Sequence, residues 1–185
     1  MSLLRWADTP MEQDPLFAST SASRSDPDRG SLDASAEVAD CLRGRAALAQ
    51  SRQLLVVSIE AVDGRAAAPP DGACAVYRLP ETAPASTGSS HDPWLPFDDA
   101  AFDAVVLYRV TSHNVAIELL LGEAGRVLRP EGRVLVLEHE TDFAFAPLPE
   151  AGPAHLLHVW LRQAGFAHVD ISERAGSRVV AVAHA

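Results

Sequence analysis

The residues best suited to chemistry fall at the ends of two apolar runs. His113 follows FDAVVLYRV (102–110), and Glu138, His139 and Glu140 close RVLVLEHE (133–140). An imidazole beside a carboxylate is what a general base and its orienting partner require, and with Asp142 the same groups make a set of metal ligands. Polar residues that simply end strands at a solvated rim account for the pattern equally well. Tyr108 and Arg109 stand at the end of the first run, where the guanidinium suits a carboxylate or phosphate of a substrate. His155 and His158 have helical spacing and no third ligand close in sequence. They read as the boundary of an amphipathic helix, and no metal site is predicted.

Several chemistries are excluded. All 15 basic residues are arginine, which removes Schiff-base mechanisms and any lysine general base. Cys41 and Cys74 are far apart, with no further cysteine or histidine at ligand spacing, and so predict buried free thiols rather than a disulfide or a zinc site. Ser86, Ser89 and Ser90 lie in no G-x-S-x-G elbow, and no G-x-G-x-x-G or P-loop follows an apolar run, which argues against hydrolases, nicotinamide enzymes and nucleoside-triphosphate enzymes. A formal charge of −10 without a basic cluster argues against nucleic acid as a partner. No apolar stretch approaches the roughly 18 residues that span a bilayer. The opening MSLLRWADTPMEQDP lacks the basic-then-apolar layout of a secretory signal, so a soluble, cytoplasmic protein with no membrane partner is predicted.

The elements that must position these groups follow from periodicity. The first 31 residues are rich in Ser, Asp and Pro without apolar rhythm and predict a flexible N-terminal segment, leaving one domain over 32–185. Apolar residues three or four apart predict a helix over 32–50, with Ser31 as its cap. LLVVSI (54–59) reads as a buried strand and CAVYRL (74–79) as a second, with a Pro/Gly/Ala turn region between them. ETAPASTGSSHDP (81–93) is a loop by composition. FDAVVLYRV is a strand, VAIELLLGEAGRVL (115–128) a helix, RPEG (129–132) a turn and RVLVLEHE the next strand. HLLHVWLRQAGF (155–166) predicts a helix closed by Gly165, and VDISER with SRVVAVAHA a final antiparallel pair. Strands alternating with helices predict an α/β fold with a mostly parallel sheet covered on both faces.

WLPFDDAAFDAVVLYRV followed by EAGRVLRPEGRVLVLEHE resembles the class I S-adenosylmethionine-dependent methyltransferases, in particular the group with an LPF…FD strand and a "VLRPGG" turn. The match is firm over 95–132 and looser through QAGF, about half of the chain. The resemblance implies a Rossmann-like class I methyltransferase fold with S-adenosylmethionine lying across the carboxyl ends of the first strands. On it, Glu60 and Glu81 are candidate acids for the ribose hydroxyls, Asp92 (with His91 beside it) a candidate for the adenine, Trp94 a ring to stack on it, and Tyr108 a residue of the cofactor's border. His113 and His139 are the candidate catalytic residues.

One family feature is missing. Where relatives carry D-x-G-x-G-x-G after the first strand, this chain has SIEAVDGRA. Ala61, Val62 and Asp63 place β-carbons where the backbone must approach the cofactor closely. The helix that should follow is also eroded by two prolines. Two expectations result: a degenerate, non-catalytic or partner-dependent subunit (a pseudoenzyme within an oligomer, beside a catalytic paralogue or a second copy), or an active methyltransferase of a small-molecule substrate with an atypical cofactor loop. A partner is expected on the sheet face that the lost crossover would leave uncovered.

Overall fold

Leu54, Leu55, Val56 and Val57 are each 0% exposed, so consecutive side chains on both sides of one strand are buried. That is the signature of a strand inside a sheet covered on both faces. The computed structural model describes residues 27–45, 50–80, 93–112, 116–145, 151–174 and 178–185. The expected N-terminal segment falls outside these residues as far as residue 26, as does the loop 81–92.

In chain order the elements are α1 (Pro27–Arg43), β1 (Gln53–Ser58), α2 (Gly64–Ala67), β2 (Ala73–Arg78), β3 (Phe102–Tyr108), α3 (Ile117–Val127), β4 (Leu128–His139), α4 (Gly152–Gln163), β5 (Ala167–Arg174) and β6 (Arg178–His184). Short 3-10 turns, Val110–Ser112 and Glu140–Phe145, follow β3 and β4. The six strands form one sheet in the order β2-β1-β3-β4-β6-β5. β1, β2, β3 and β4 pair in parallel, while β6 runs antiparallel to both β4 and β5. The parallel core of 54–59, 102–107 and 134–137 and the antiparallel pair at the end are as the sequence predicts.

Alternation of side chains splits the core in two. Leu54, Val56, Ala104, Val106, Leu135 and Leu137 pack with Val38, Cys41 and Leu42 of α1 and with Ala67 of α2. Their neighbours Leu55, Val57, Val105, Leu107, Val134 and Val136 pack against Leu120, Leu121 and Ala124 of α3 and Leu157 and Leu161 of α4. The strands are thus clamped between α1 on one face and α3 with α4 on the other. Beside the short crossover the sheet is less covered: none of the six residues of β2 is buried, whereas five of the six in β1 are, and Val76 of β2 is an exposed large apolar side chain at 36%.

Local details sharpen the sequence reading. α1 starts at Pro27, not Leu32, because proline's fixed φ and missing N–H suit a first helical position, and it stops at Arg43 where Gly44 weakens propagation. In the RPEG turn the left-handed residue is Glu131 (φ +65), not the glycine. Gly132 is needed for space: a β-carbon there would lie 2.7 Å from the Arg129 carbonyl oxygen. The turn also sits inside β4 as a bulge, since the pairing jumps from Phe102–Leu128 to Ala104–Arg133. By contrast, Gly165 closes α4 as expected, at φ +94.

The crossover from β1 to β2 holds a single helical turn, α2, before Pro69 and Pro70. No helix among the described residues is long and apolar enough to cross a membrane.

Candidate functional site

β1 has β2 on one side and β3 on the other, so the direction of winding reverses between β1 and β3. An open α/β sheet forms its ligand crevice at the carboxyl ends of the strands at such a point. Glu60 follows β1 there, Tyr108 ends β3 with Arg109 directly after it, and Glu138 and His139 end β4. The 3-10 turn after β4 brings Asp142 back to the same edge.

A guanidinium ties these ends together. Arg109 adopts φ +52, a left-handed conformation costly for a residue with a β-carbon. Its Nη1 donates to Oε1 of Glu60 at 2.6 Å, while Nε and Nη2 grip Asp142 at 3.1 and 2.8 Å. Asp142, only 3% exposed at its side chain, also accepts from the His139 amide at 2.8 Å. The hydrogen bonds to Asp142 are the main reason the Arg109 pKa rises above its ordinary value. The bridge runs from the end of β1 across β3 to the turn after β4.

A second group lies on the α1 side. The Tyr108 hydroxyl donates to Oε2 of Glu37 at 2.9 Å, and Nε2 of His139 lies 3.3 Å from Oε1 of the same carboxylate. Burial, and then the Glu37 charge, push the Tyr108 pKa up, so the phenol keeps its proton and acts as a donor. Ser58, the register partner of Tyr108, is 0% exposed, and its hydroxyl has no hydrogen-bond partner among the described residues. Chemically, an imidazole and a phenol share one carboxylate.

Glu138 has a different task. It is 1% exposed; Oε1 accepts from the amides of Val110 and Thr111 at 2.9 and 3.2 Å, and Oε2 from the Thr111 hydroxyl at 2.7 Å. It fastens the turn after β3. Burial, against those three donors and with Asp142 adding to it, pushes its pKa up to about 8.

Of the residues singled out from the sequence, Glu60, Tyr108 and His139 come together at this edge. Trp94 does not. Its ring lies over the guanidinium of Arg126 at 4.4 Å and is 60% exposed. Arg126 is in the last turn of α3, which leads straight into the start of β4, so Trp94 sits toward the amino edge of the sheet. Arg126 also donates to the carbonyls of Leu95 and Phe97, to Asp99 and to Glu123. The LPF segment is thereby pinned to α3. Glu81, Asp92 and His113 lie outside the described residues. His155 and His158 are exposed on α4. Among the described residues no group of His, Cys, Asp or Glu is arranged to hold a metal ion.

Glu37 was not anticipated. The signal was present, for it is a charged residue within the apolar stripe formed by Ala34, Val38, Cys41 and Leu42. Such a residue on a packed face needs a polar partner.

The family model described as a methyltransferase domain matches residues 31–136, more than half of the chain. No curated protein matches it. Among solved structures it is similar to PigF with SAH (TM-score 0.56, 18% identity, 85% of this chain and 57% of that one). It is likewise similar to an O-methyltransferase family protein from Burkholderia thailandensis (TM-score 0.55, 18% identity, 85% and 57%). A SAM-dependent methyltransferase from Aquifex aeolicus gives a TM-score of 0.53 at 14% identity over 86% of this chain and 98% of that one. The chain thus spans little more than half the length of the first two and nearly all of the third.

Proposed function

We infer the function from the premise that the family match supplies: the chain belongs to the methyltransferase domain family. On that premise we propose a methyltransferase-like protein that binds S-adenosylmethionine weakly or not at all when alone, and acts as a non-catalytic or partner-dependent subunit.

The carrying observation is that the segment after β1 spends its polar groups on the protein itself. Glu60 is held by Arg109 at 2.6 Å. The Asp63 amide donates to the Ser35 hydroxyl at 2.7 Å, and the Asp63 carboxylate caps α2 by accepting from the Arg65 amide at 2.9 Å. A glycine-rich loop holds a ligand with unspent amides and open space. This segment offers engaged amides and β-carbons, so it does not fit the cofactor in that manner, and no step of a reaction is routed through it. Support for a protein partner, a catalytic paralogue or a second copy, comes from Trp94 and Leu119, exposed apolar side chains at 60% and 52%. Leu119 and Arg126, on which Trp94 rests, share one face of α3.

The second reading, an active small-molecule methyltransferase with an atypical loop, is favoured by the buried hydroxyl of Ser58 at the same edge, unpartnered among the described residues. Calorimetric titration of the purified chain with S-adenosylmethionine and S-adenosylhomocysteine separates the two. Heats too weak to fit, or affinity poorer than micromolar, are expected. Micromolar or tighter binding together with methyl transfer by the isolated chain overturns the proposal.

A further inference from the structure

A cavity of about 410 Å3 opens at the opposite, amino edge of the sheet, lined by Gln50, Ser51, Arg52, Asp103, Glu131 and Arg133. Asp103 is already spent. Its Oδ2 accepts from the amides of Arg52 and Gln53 at 3.0 and 2.9 Å, and its Oδ1 from the guanidinium of Arg129. These bonds fasten the start of β1 to β3. Arg52 joins them through its backbone alone, and neither the Arg52 nor the Arg133 guanidinium has a hydrogen-bond or ion-pair partner among the described residues. Two cations therefore line one cavity in a chain whose formal charge is −10.

A neighbour registers this field. His184 pairs across β4 and β6 with Arg133, and its pKa is pushed down by burial and next by the Arg133 charge.

We propose that this cavity binds a small oxyanion, the phosphate or carboxylate group of a metabolite, between Arg52 and Arg133. A guanidinium presents a planar fork of donors that matches both groups, and two of them divide the anion's charge. Gln50 and Ser51 add an amide and a hydroxyl to the lining. The strands between this cavity and the carboxyl edge are six or seven residues long, about 20 Å at the rise of a strand. The site is thus separate from the crevice beside Glu60 and Tyr108 and does not depend on any reading of that crevice.

The test is calorimetric titration of the full chain with inorganic phosphate and, in a second arm, with succinate, while the His184 imidazole is followed by NMR. Saturable binding of either probe is expected; the arm that binds more tightly identifies the anion as phosphate or carboxylate. Arg52→Met and Arg133→Met should each weaken it about tenfold, the loss of one charge-assisted contact. Glu131→Gln removes a repelling carboxylate and should strengthen binding, a gain that misfolding does not imitate. The bound anion offsets Arg133, so the His184 pKa should rise. Absence of saturable binding in both arms, unchanged affinity in both arginine variants, or weaker binding by Glu131→Gln overturns the proposal.

Discussion

At Glu138 two effects compete on one carboxyl group. Burial at 1% exposure disfavours the charged form, whereas the three donors from Val110 and Thr111 favour it. With burial the stronger, the folded-state pKa lies at about 8, above its ordinary value. The folded protein then holds a proton that the unfolded chain has released. Glu138 contributes full stability below the unfolded pKa and loses it as pH rises toward 8, each tenfold change in proton affinity being worth about 1.4 kcal/mol. Glu138→Gln keeps a neutral side chain that accepts from both amides, with the Thr111 hydroxyl turning to accept from its NH2. The thermal midpoint of the variant relative to wild type should climb between pH 5 and pH 8. Parallel curves would mean that the donors win. The environment of this residue was hidden from the sequence, which marks Glu138 only as the end of a strand. Its partners lie 27 and 28 positions away, and those joining Glu60 to Arg109 and Glu37 to Tyr108 lie 49 and 71 away. Contacts of that kind are made by the fold and leave no local trace.

The elements were far more legible, because burial writes itself into every residue of a strand or every third and fourth residue of a helix. Leu120, Leu121 and Ala124 of α3 are each 0% exposed against the odd-numbered face of β1 and β3, as their spacing requires. Leu120→Ala and Leu121→Ala should each cost about 2 to 5 kcal/mol in chemical denaturation, the range for a buried large-to-small change. Leu119→Ala, beside them but 52% exposed, should stay within about 0.5 kcal/mol of wild type, as surface changes do. Similar costs for all three would place α3 in a different rotation about its axis. Boundaries were less legible than periods. Pro27 starts α1 earlier than the apolar rhythm suggests, and RPEG bulges within β4 instead of standing before it, since both features depend on single backbone angles. The one-turn crossover α2 was visible in advance through its prolines; the packing of α1 on β1, β3 and β4 was not tied to any one position of the sequence.

For the molecule as a whole, the formal charge of −10 sets repulsion among carboxylates against a limited number of ion pairs. Glu37, Glu60 and Asp142 crowd the carboxyl edge, while the Asp40–Arg43 pair is 71% exposed on both sides and stabilises little. The stronger bridge from Arg109 to Asp142 is sheltered, with Asp142 3% exposed, so salt reaches it poorly. Added salt should therefore screen the repulsion more than it weakens the attraction. Raising sodium chloride from low ionic strength to about 0.15 M shortens the screening length to about 8 Å. The thermal midpoint at neutral pH should rise, by about 2 to 4 °C for each kcal/mol of repulsion relieved in a chain of this size. The same series near pH 5.0, the isoelectric point, should leave the midpoint nearly unchanged, because no net charge remains to screen. A midpoint that falls with salt at neutral pH would show that exposed pairs outweigh the net charge. Equal rises at both pH values would show that the salt acts on apolar burial instead.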